Sequence, residues 1–212
     1  MRLKNLEMLL QSIDPMTDLD VRLEQYPTPA TIAARVVYAA QVQHGDITGK
    51  TVCDLGCGNG ILALGAALMG AKMVLGVDVE SKALKVSRRN ADLLGVEGVT
   101  EWILADVSSF EIRQTANTVL SNPPFGVKTR GADLRFLRRA LSVAEVTYSF
   151  HLSSEKSRRF LTQAIVEMGG RVTHVETLRF PIGHLYEFHQ KSIHTIEVDL
   201  YRIERSDVIG KR

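Results

Sequence analysis

The tetrapeptide Asn122-Pro123-Pro124-Phe125 gathers unusual chemistry at the end of an apolar run, Thr118 to Ser121. Two consecutive prolines fix φ and remove two backbone donors, leaving carbonyls that no local amide can easily claim. A rigid turn explains the prolines, but not a carboxamide on one side and an aromatic ring on the other. Upstream, Asp54-Leu55-Gly56-Cys57-Gly58-Asn59-Gly60 joins an apolar run to a helical one, with glycine at every second position. Backbone free of side chains lets a ligand lie against the loop and the following helix N-terminus. A dinucleotide loop, Gly-x-Gly-x-x-Gly, wraps a pyrophosphate. Here the third glycine comes one residue early, and the acid that opens the loop would repel phosphate but suits a cationic ammonium. Asp78 ends the next apolar run, where an acid can accept hydrogen bonds from both ribose hydroxyls or cap the helix that follows. Asp106 follows the third run and, taken alone, reads as a turn residue.

The elements that must position these residues follow from periodicity. Leu3, Leu6, Leu10 and Ile13 predict a short amphipathic helix, and Thr31 to Gln43 a second, so 1–45 reads as an N-terminal helical extension packed on a single domain, 46–212. Strand-like runs Thr51 to Leu55, Met73 to Val77, Val99 to Leu104, Thr118 to Ser121 and Val146 to His151 alternate with helical ones. Those helices fall at about Gly60 to Met69, Ser81 to Leu94, Asp133 to Val143 and Glu155 to Met168. The last two runs, Val172 to Phe180 and Ile193 to Ile203, have no helix between them and should pair antiparallel. The expectation is an open, mostly parallel α/β sheet finishing in a hairpin.

At 212 residues, with 45% hydrophobic and 24% charged side chains, the chain can bury a core without a disulfide or metal staple. Its two cysteines, Cys53 and Cys57, have no second pair at zinc-ligand spacing, so no metal is expected. No signal peptide or bilayer-spanning run is visible, which reads as a soluble cytoplasmic protein. A net charge of +2 permits nucleic-acid binding without arguing for it. Local charge is more telling. Lys128, Arg130, Arg135, Arg138 and Arg139 follow the tetrapeptide against the single acid Asp133, and Lys156, Arg158 and Arg159 form a second cluster. Either a solvated helix face or phosphate contact explains such runs. His151 ends the fifth strand near the presumed crevice and is a candidate RNA contact.

The glycine loop resembles motif I of the class I S-adenosylmethionine methyltransferases, and Asn122-Pro123-Pro124-Phe125 resembles motif IV of the amino-methyltransferases. The first resemblance implies a Rossmann-like, seven-stranded sheet with helices on both faces, and S-adenosyl-L-methionine as cofactor. Asp54 would favour its amino group, while Gly56, Gly58 and Gly60 would cradle its methionine part. The second implies methylation of an exocyclic or amide nitrogen. The Asn122 oxygen and the Pro123 carbonyl would accept the two N–H bonds of an amino group, with Phe125 stacked on the ring. Guanine N2 and glutamine amide are substrates equally compatible with this motif, as is a binding module that has lost catalysis.

Leu23-Glu24-Gln25-Tyr26-Pro27-Thr28, Asn122-Pro123-Pro124-Phe125-Gly126 with Lys128, and Phe188-His189 with Ile196-Glu197-Val198-Asp199-Leu200 resemble the methyltransferase-like protein 5 family. That resemblance covers Leu3 to Arg202 and implies an N6-adenine methyltransferase of small-subunit ribosomal RNA. It assigns cofactor contacts to Gln25, Thr28, Gly56, Asn59, Ile61, Asp78 and Asp106, with Gln25 and Thr28 as a lid; Asn59 stands where some relatives carry cysteine. It also implies a partner, a small zinc-containing activator protein that adds a strand along Val99 to Leu104; the alternative is that Trp102, at the centre of that run, packs only under the neighbouring helix. Proline at Ile103 is expected to block that pairing.

Overall fold

The computed structural model describes residues 1–16, 27–125, 131–182 and 194–206. Two helices, α1 (Leu3–Gln11) and α2 (Ala30–His44), precede the alternating part. There β1 (Thr51–Leu55), α3 (Ile61–Leu68), β2 (Met73–Asp78), α4 (Ser81–Leu94), β3 (Thr100–Leu104), β4 (Ala116–Ser121), α5 (Ala132–Val143), β5 (Ala144–Leu152) and α6 (Glu155–Glu167) follow one another. The chain ends in the pair β6 (Gly170–Ile182) and β7 (His194–Arg205). A single turn of 3-10 helix, Glu97–Val99, takes the first residue from the run expected to be strand.

The seven strands lie in the order β3-β2-β1-β4-β5-β7-β6. β1 to β5 pair in parallel, and β7 runs antiparallel to both β5 and β6, as the missing crossover helix requires. The hairpin strands are longer than their apolar patterns suggest. Polar side chains such as His174 and Glu176 alternate with apolar ones along an edge strand and dilute the signal, and a register shift between Val172 and His174 breaks the period.

Each strand feeds two cores. One face is covered by α1, α2, α3 and α4, burying Leu6, Leu10, Val37, Leu64, Val74 and Leu120 in one cluster. Cys53, Leu55, Val77 and Val119 face the other way, under Ala140 and Val143 of α5, and Leu137 of α5 with Leu161 and Ile165 of α6 extends that side. The N-terminal helices are therefore built into the core. A buried polar knot adds to this: Tyr148 Oη and Arg202 Nε both donate to Asp46 Oδ2 (2.6 and 2.9 Å), and the Asp46 carbonyl accepts from Thr118 Oγ1 (2.6 Å). It ties the end of α2 to three strands. No helix among the described residues is long and apolar enough to cross a membrane.

Strand order reverses direction between β1 and β4, and in such sheets the crevice at the strands' carboxyl ends takes ligands. Leu55 and Ser121 stand opposite each other in that pair, so the glycine loop and Asn122 leave adjacent strands at the same level.

Candidate active site

The glycine loop folds back over the end of β2, with the Gly56 and Cys57 amides both donating to the Val77 carbonyl (2.8 and 3.0 Å). Gly56, Gly58 and Gly60 all adopt positive φ, 72, 55 and 85°. Gly60 has a second reason to lack a side chain: a Cβ there would meet Trp102 Cη2 at 2.7 Å. The indole of the edge strand β3 thus lies beneath the loop, buried in the core, and spacing alone did not reveal this support. Two residues of α4 hold the loop from behind. Ser87 Oγ donates to the Gly58 carbonyl (2.7 Å), and Asn90 Nδ2 donates to that of Asn59 (3.0 Å). Asn90 also exchanges bonds with the Asp14 backbone in both directions, 3.1 and 2.8 Å. The signal for both residues was present, polar side chains three apart on the buried stripe of α4, but it says nothing of their partners. Asn59 turns its own side-chain amide to the Asp14 carbonyl (3.3 Å), and Ile61 opens α3 as a buried residue.

The three acids differ. Asp54 is buried, with Oδ2 accepting the Ala63 amide in the first turn of α3 (3.0 Å) and Oδ1 lacking a partner among the described residues. Burial pushes its carboxyl up to about 7, the Ala63 hydrogen bond opposes this, and the Asp78 charge adds to it. Asp78 is also buried; its oxygens accept the Gly58 and Glu80 amides, each at 2.9 Å, and burial raises its pKa against those bonds. Each carboxylate oxygen keeps a further lone pair for a hydroxyl donor. The helix-capping alternative does not hold, because α4 is entered through Glu80 without a side-chain cap. Asp106 is exposed at a turn, where the Ser108 hydroxyl (2.7 Å) and amide (2.8 Å) bond Oδ1 and hold the carboxyl low. Two buried carboxylates that are in no described ion pair suit a cationic ligand, and the cradle of side-chain-free loop beside them fits the methionine and ribose of S-adenosylmethionine.

Asn122 Nδ2 donates to Thr28 Oγ1 (3.0 Å), a residue remote in sequence and directly ahead of α2. Pro123 and Phe125 are buried, and the Phe125 ring meets Phe180 of β6 edge-on at 6.4 Å, with Phe150 edge-on to Phe180 at 6.0 Å. The hairpin therefore steadies the aromatic ring of the tetrapeptide. Gln25, Lys128 and Arg130 lie outside the described residues.

Several basic residues are not what their charge suggested. Arg139 Nε donates to the Val107 carbonyl (3.2 Å) and its Nη2 to that of Ser108, which fixes the turn after Asp106. Arg158 grips the buried Asp199 through two bonds of 2.7 and 2.9 Å, and Arg159 pairs with Glu155 one turn away. His151 corrects the expectation of an RNA contact: its side chain is 2% exposed, Nε2 pairs with Ser149 Oγ (2.9 Å) and Nδ1 faces Asp133 (3.7 Å). A strand-end position placed it near the crevice, but the N-terminus of α5 covers it. Arg135 and Arg138 remain, lining a cleft of about 250 Å³ with Ser108, Arg139 and Ser142.

Comparison with known proteins agrees with this geometry. The family model for ribosomal protein L11 methyltransferase (PrmA) matches residues 36–123, which run from α2 through the glycine loop to Pro123. The rRNA N(6)-adenosine-methyltransferase Mettl5 of Drosophila melanogaster is 39% identical over 209 residues, 96% of this chain and 97% of that protein. The rRNA N(6)-adenosine-methyltransferase METTL5 of Danio rerio is 34% identical over 206 residues, 95% and 98% of the two. A crystal structure of a candidate RNA methyltransferase from Pyrococcus horikoshii superposes with a TM-score of 0.89 at 37% identity, covering 97% of this chain and 98% of that one. With this likeness running over nearly the whole length of both proteins, the chain belongs to the METTL5 family of rRNA N6-adenosine methyltransferases.

Proposed function

We propose that the protein methylates the N6 amino group of an adenine in ribosomal RNA, with S-adenosylmethionine as donor. The observation that carries this reading is Asn122, bonded to Thr28 at the end of β4, one strand away from a glycine loop flanked by the buried carboxylates Asp54 and Asp78, neither in a described ion pair. S-adenosylmethionine supplies an electrophilic methyl carbon on a sulfonium. Asn122 and the Pro123 carbonyl accept the two N–H bonds of the adenine amino group, which favours a pyramidal nitrogen with its lone pair aimed at that carbon. Phe125 stacks on the base and holds the line of attack. No basic side chain is needed before transfer, because the nitrogen becomes acidic only after it gains the methyl group. The target adenine must be unstacked to reach the crevice. Arg135 and Arg138 beside Asp106 offer charge for the flanking phosphates, and a ribosomal RNA substrate fits a cytoplasmic enzyme. Incubation with methyl-labelled cofactor, whole RNA and ribosomal protein tests the substrate class: label should partition into the nuclease-sensitive fraction, and label in the protease-sensitive fraction would point to a glutamine amide.

The role given to Asp54 has a pH signature. With its carboxyl at about 7 in the free protein, Asp54 is largely protonated at lower pH, and an ammonium beside it lowers that value. Binding then releases a proton, so affinity rises with pH. Between about pH 5 and 7, where an α-amino group stays protonated, the logarithm of the association constant should climb by up to about 1 per pH unit. Calorimetric titration measures this slope. Asp54→Asn, which keeps an acceptor for the Ala63 amide, should flatten it; a flat wild-type profile contradicts the contact.

The zinc-containing activator is proposed to pair with β3, which ends the sheet order and leaves Leu104 60% exposed. The substitution expected to block it moves, however. Leu104 stands opposite Asp78, and the Ala105 amide donates to the Asp78 carbonyl (3.0 Å). Alternate residues of a strand point the same way, so positions 103 and 105 face β2 while Trp102 and Leu104 aim their amides at the open edge. Proline at 103 would damage the enzyme's own ladder. Leu104→Pro should abolish co-purification with the activator while cofactor affinity stays within about threefold, less than 1 kcal/mol. Undiminished co-purification would exclude pairing through this edge.

A further inference from the structure

We propose that Asn90 is a positioning residue for S-adenosylmethionine, joining the N-terminal segment at Asp14 to the glycine loop at Asn59 so that each is held by the other. The inference rests on the reading of that loop as the cofactor site. Asn90 lies inside α4 with none of its surface exposed, where leucine or alanine would pack and favour the helix. A carboxamide there is costly unless its polar atoms are met. Here they are. Oδ1 accepts the Asp14 amide (2.8 Å), and the two Nδ2 protons go to the carbonyls of Asp14 (3.1 Å) and Asn59 (3.0 Å). A backbone amide can only donate and a carbonyl can only accept, so these partners fix the orientation of the side chain.

The two partners are far apart in the chain and meet beside the ribose acid. Asn59 stands between Gly58 and Gly60, both at positive φ, in a loop whose glycines open many other conformations once it is released. Its own side chain adds a second bond to the Asp14 carbonyl (3.3 Å). Two residues further on, Met16 covers the turn: its Sδ lies 3.6 Å from where a Cβ on Gly58 would stand, and the Gly58 amide is the one that Asp78 accepts. The segment after α1 therefore packs on the loop, with the Asn90 carboxamide as the joint between them. Without that joint the loop has to be ordered when the ligand binds, and the cost is subtracted from affinity. The ordered complex is the same once formed, so its rate of transfer is not touched.

Calorimetry and single-turnover methyl transfer on folded protein separate this role from packing. Asn90→Ala should weaken S-adenosylmethionine binding by about 5- to 50-fold, while the rate at saturating cofactor stays within about threefold of wild type. Asn90→Leu, which keeps the branched shape without the polar atoms, should do the same and serves should the alanine protein fail to fold. Coupling is reciprocal, so the cofactor must tighten the segment by the factor that the segment tightens the cofactor. Exchange of the Asp14 amide proton, which Asn90 Oδ1 accepts, should therefore slow by about 5- to 50-fold when the wild type is saturated with S-adenosylmethionine, as read by NMR. That measurement needs no variant. Affinity within about threefold of wild type in a folded Asn90→Ala protein, with only its melting temperature lowered, makes Asn90 a packing residue and overturns the proposal; so does exchange at Asp14 that ignores the cofactor. A wild-type protein that binds no S-adenosylmethionine, or whose affinity is indifferent to Asp78→Ala, would instead overturn the reading of the loop itself.

Discussion

Asn122→Ala is expected to lower the rate of methyl transfer by about 100- to 1000-fold, the cost typical of removing one preorganised hydrogen-bonding group from a transition state. Cofactor binding should stay near normal, because the role proposed for the carboxamide, which bonds Thr28 (3.0 Å), is toward the substrate amino group and not the methionine moiety. Loss of turnover with intact binding marks an interaction made in the transition state and not in the ground state. Single-turnover transfer of labelled methyl, paired with calorimetry, reads both quantities. A rate within about threefold of wild type amounts to less than 1 kcal/mol of barrier and would remove Asn122 from the chemistry.

Asp78→Ala is the second large effect, and it falls on binding. The carboxylate accepts the Gly58 and Glu80 amides at 2.9 Å each, so it both shapes the glycine loop and offers acceptors to a ribose. Removing it leaves the Gly58 amide without its partner and takes charge-assisted bonds from the ligand. Affinity for S-adenosylmethionine should fall by about 1 to 3 kcal/mol, a factor of roughly 5 to 150. Asp78→Asn, which still accepts one amide, should lie between. Calorimetry on a folded Asp78→Ala protein showing an unchanged dissociation constant would refute the ribose contact.

What could be read from the residues was whatever repeats or is spaced locally. The run Thr51 to Leu55 and the pattern Ser81 to Leu94 appear as strand and helix with those bounds, because apolar period and end signals agree there. The loop with its acids, and the tetrapeptide at a strand end, were legible for the same reason. Partners that meet across the sheet were not. Nothing in the letters joins Thr28 to Asn122, Asn90 to Asp14, or Trp102 to Gly60, since each contact is created by strand order and register. Charge misled where the opposing group was distant: Arg158 looked free for phosphate until Asp199 of β7 was brought beside it. His151 looked accessible until the N-terminus of α5 covered it. Even a correct reading of β3 as the edge chose the wrong residue for proline, because the phase of the ladder depends on how Asp78 and Leu104 align.

In the proposed reaction an adenine amino group receives the methyl. This is tested most directly by incubating the protein with methyl-labelled S-adenosylmethionine and small-subunit ribosomal RNA, digesting the RNA to nucleosides, and identifying the labelled one. The expected product is N6-methyladenosine, absent when Asn122→Ala replaces the wild type. Label in N2-methylguanosine, or no label in any nucleoside while the protein binds its cofactor normally, would contradict it.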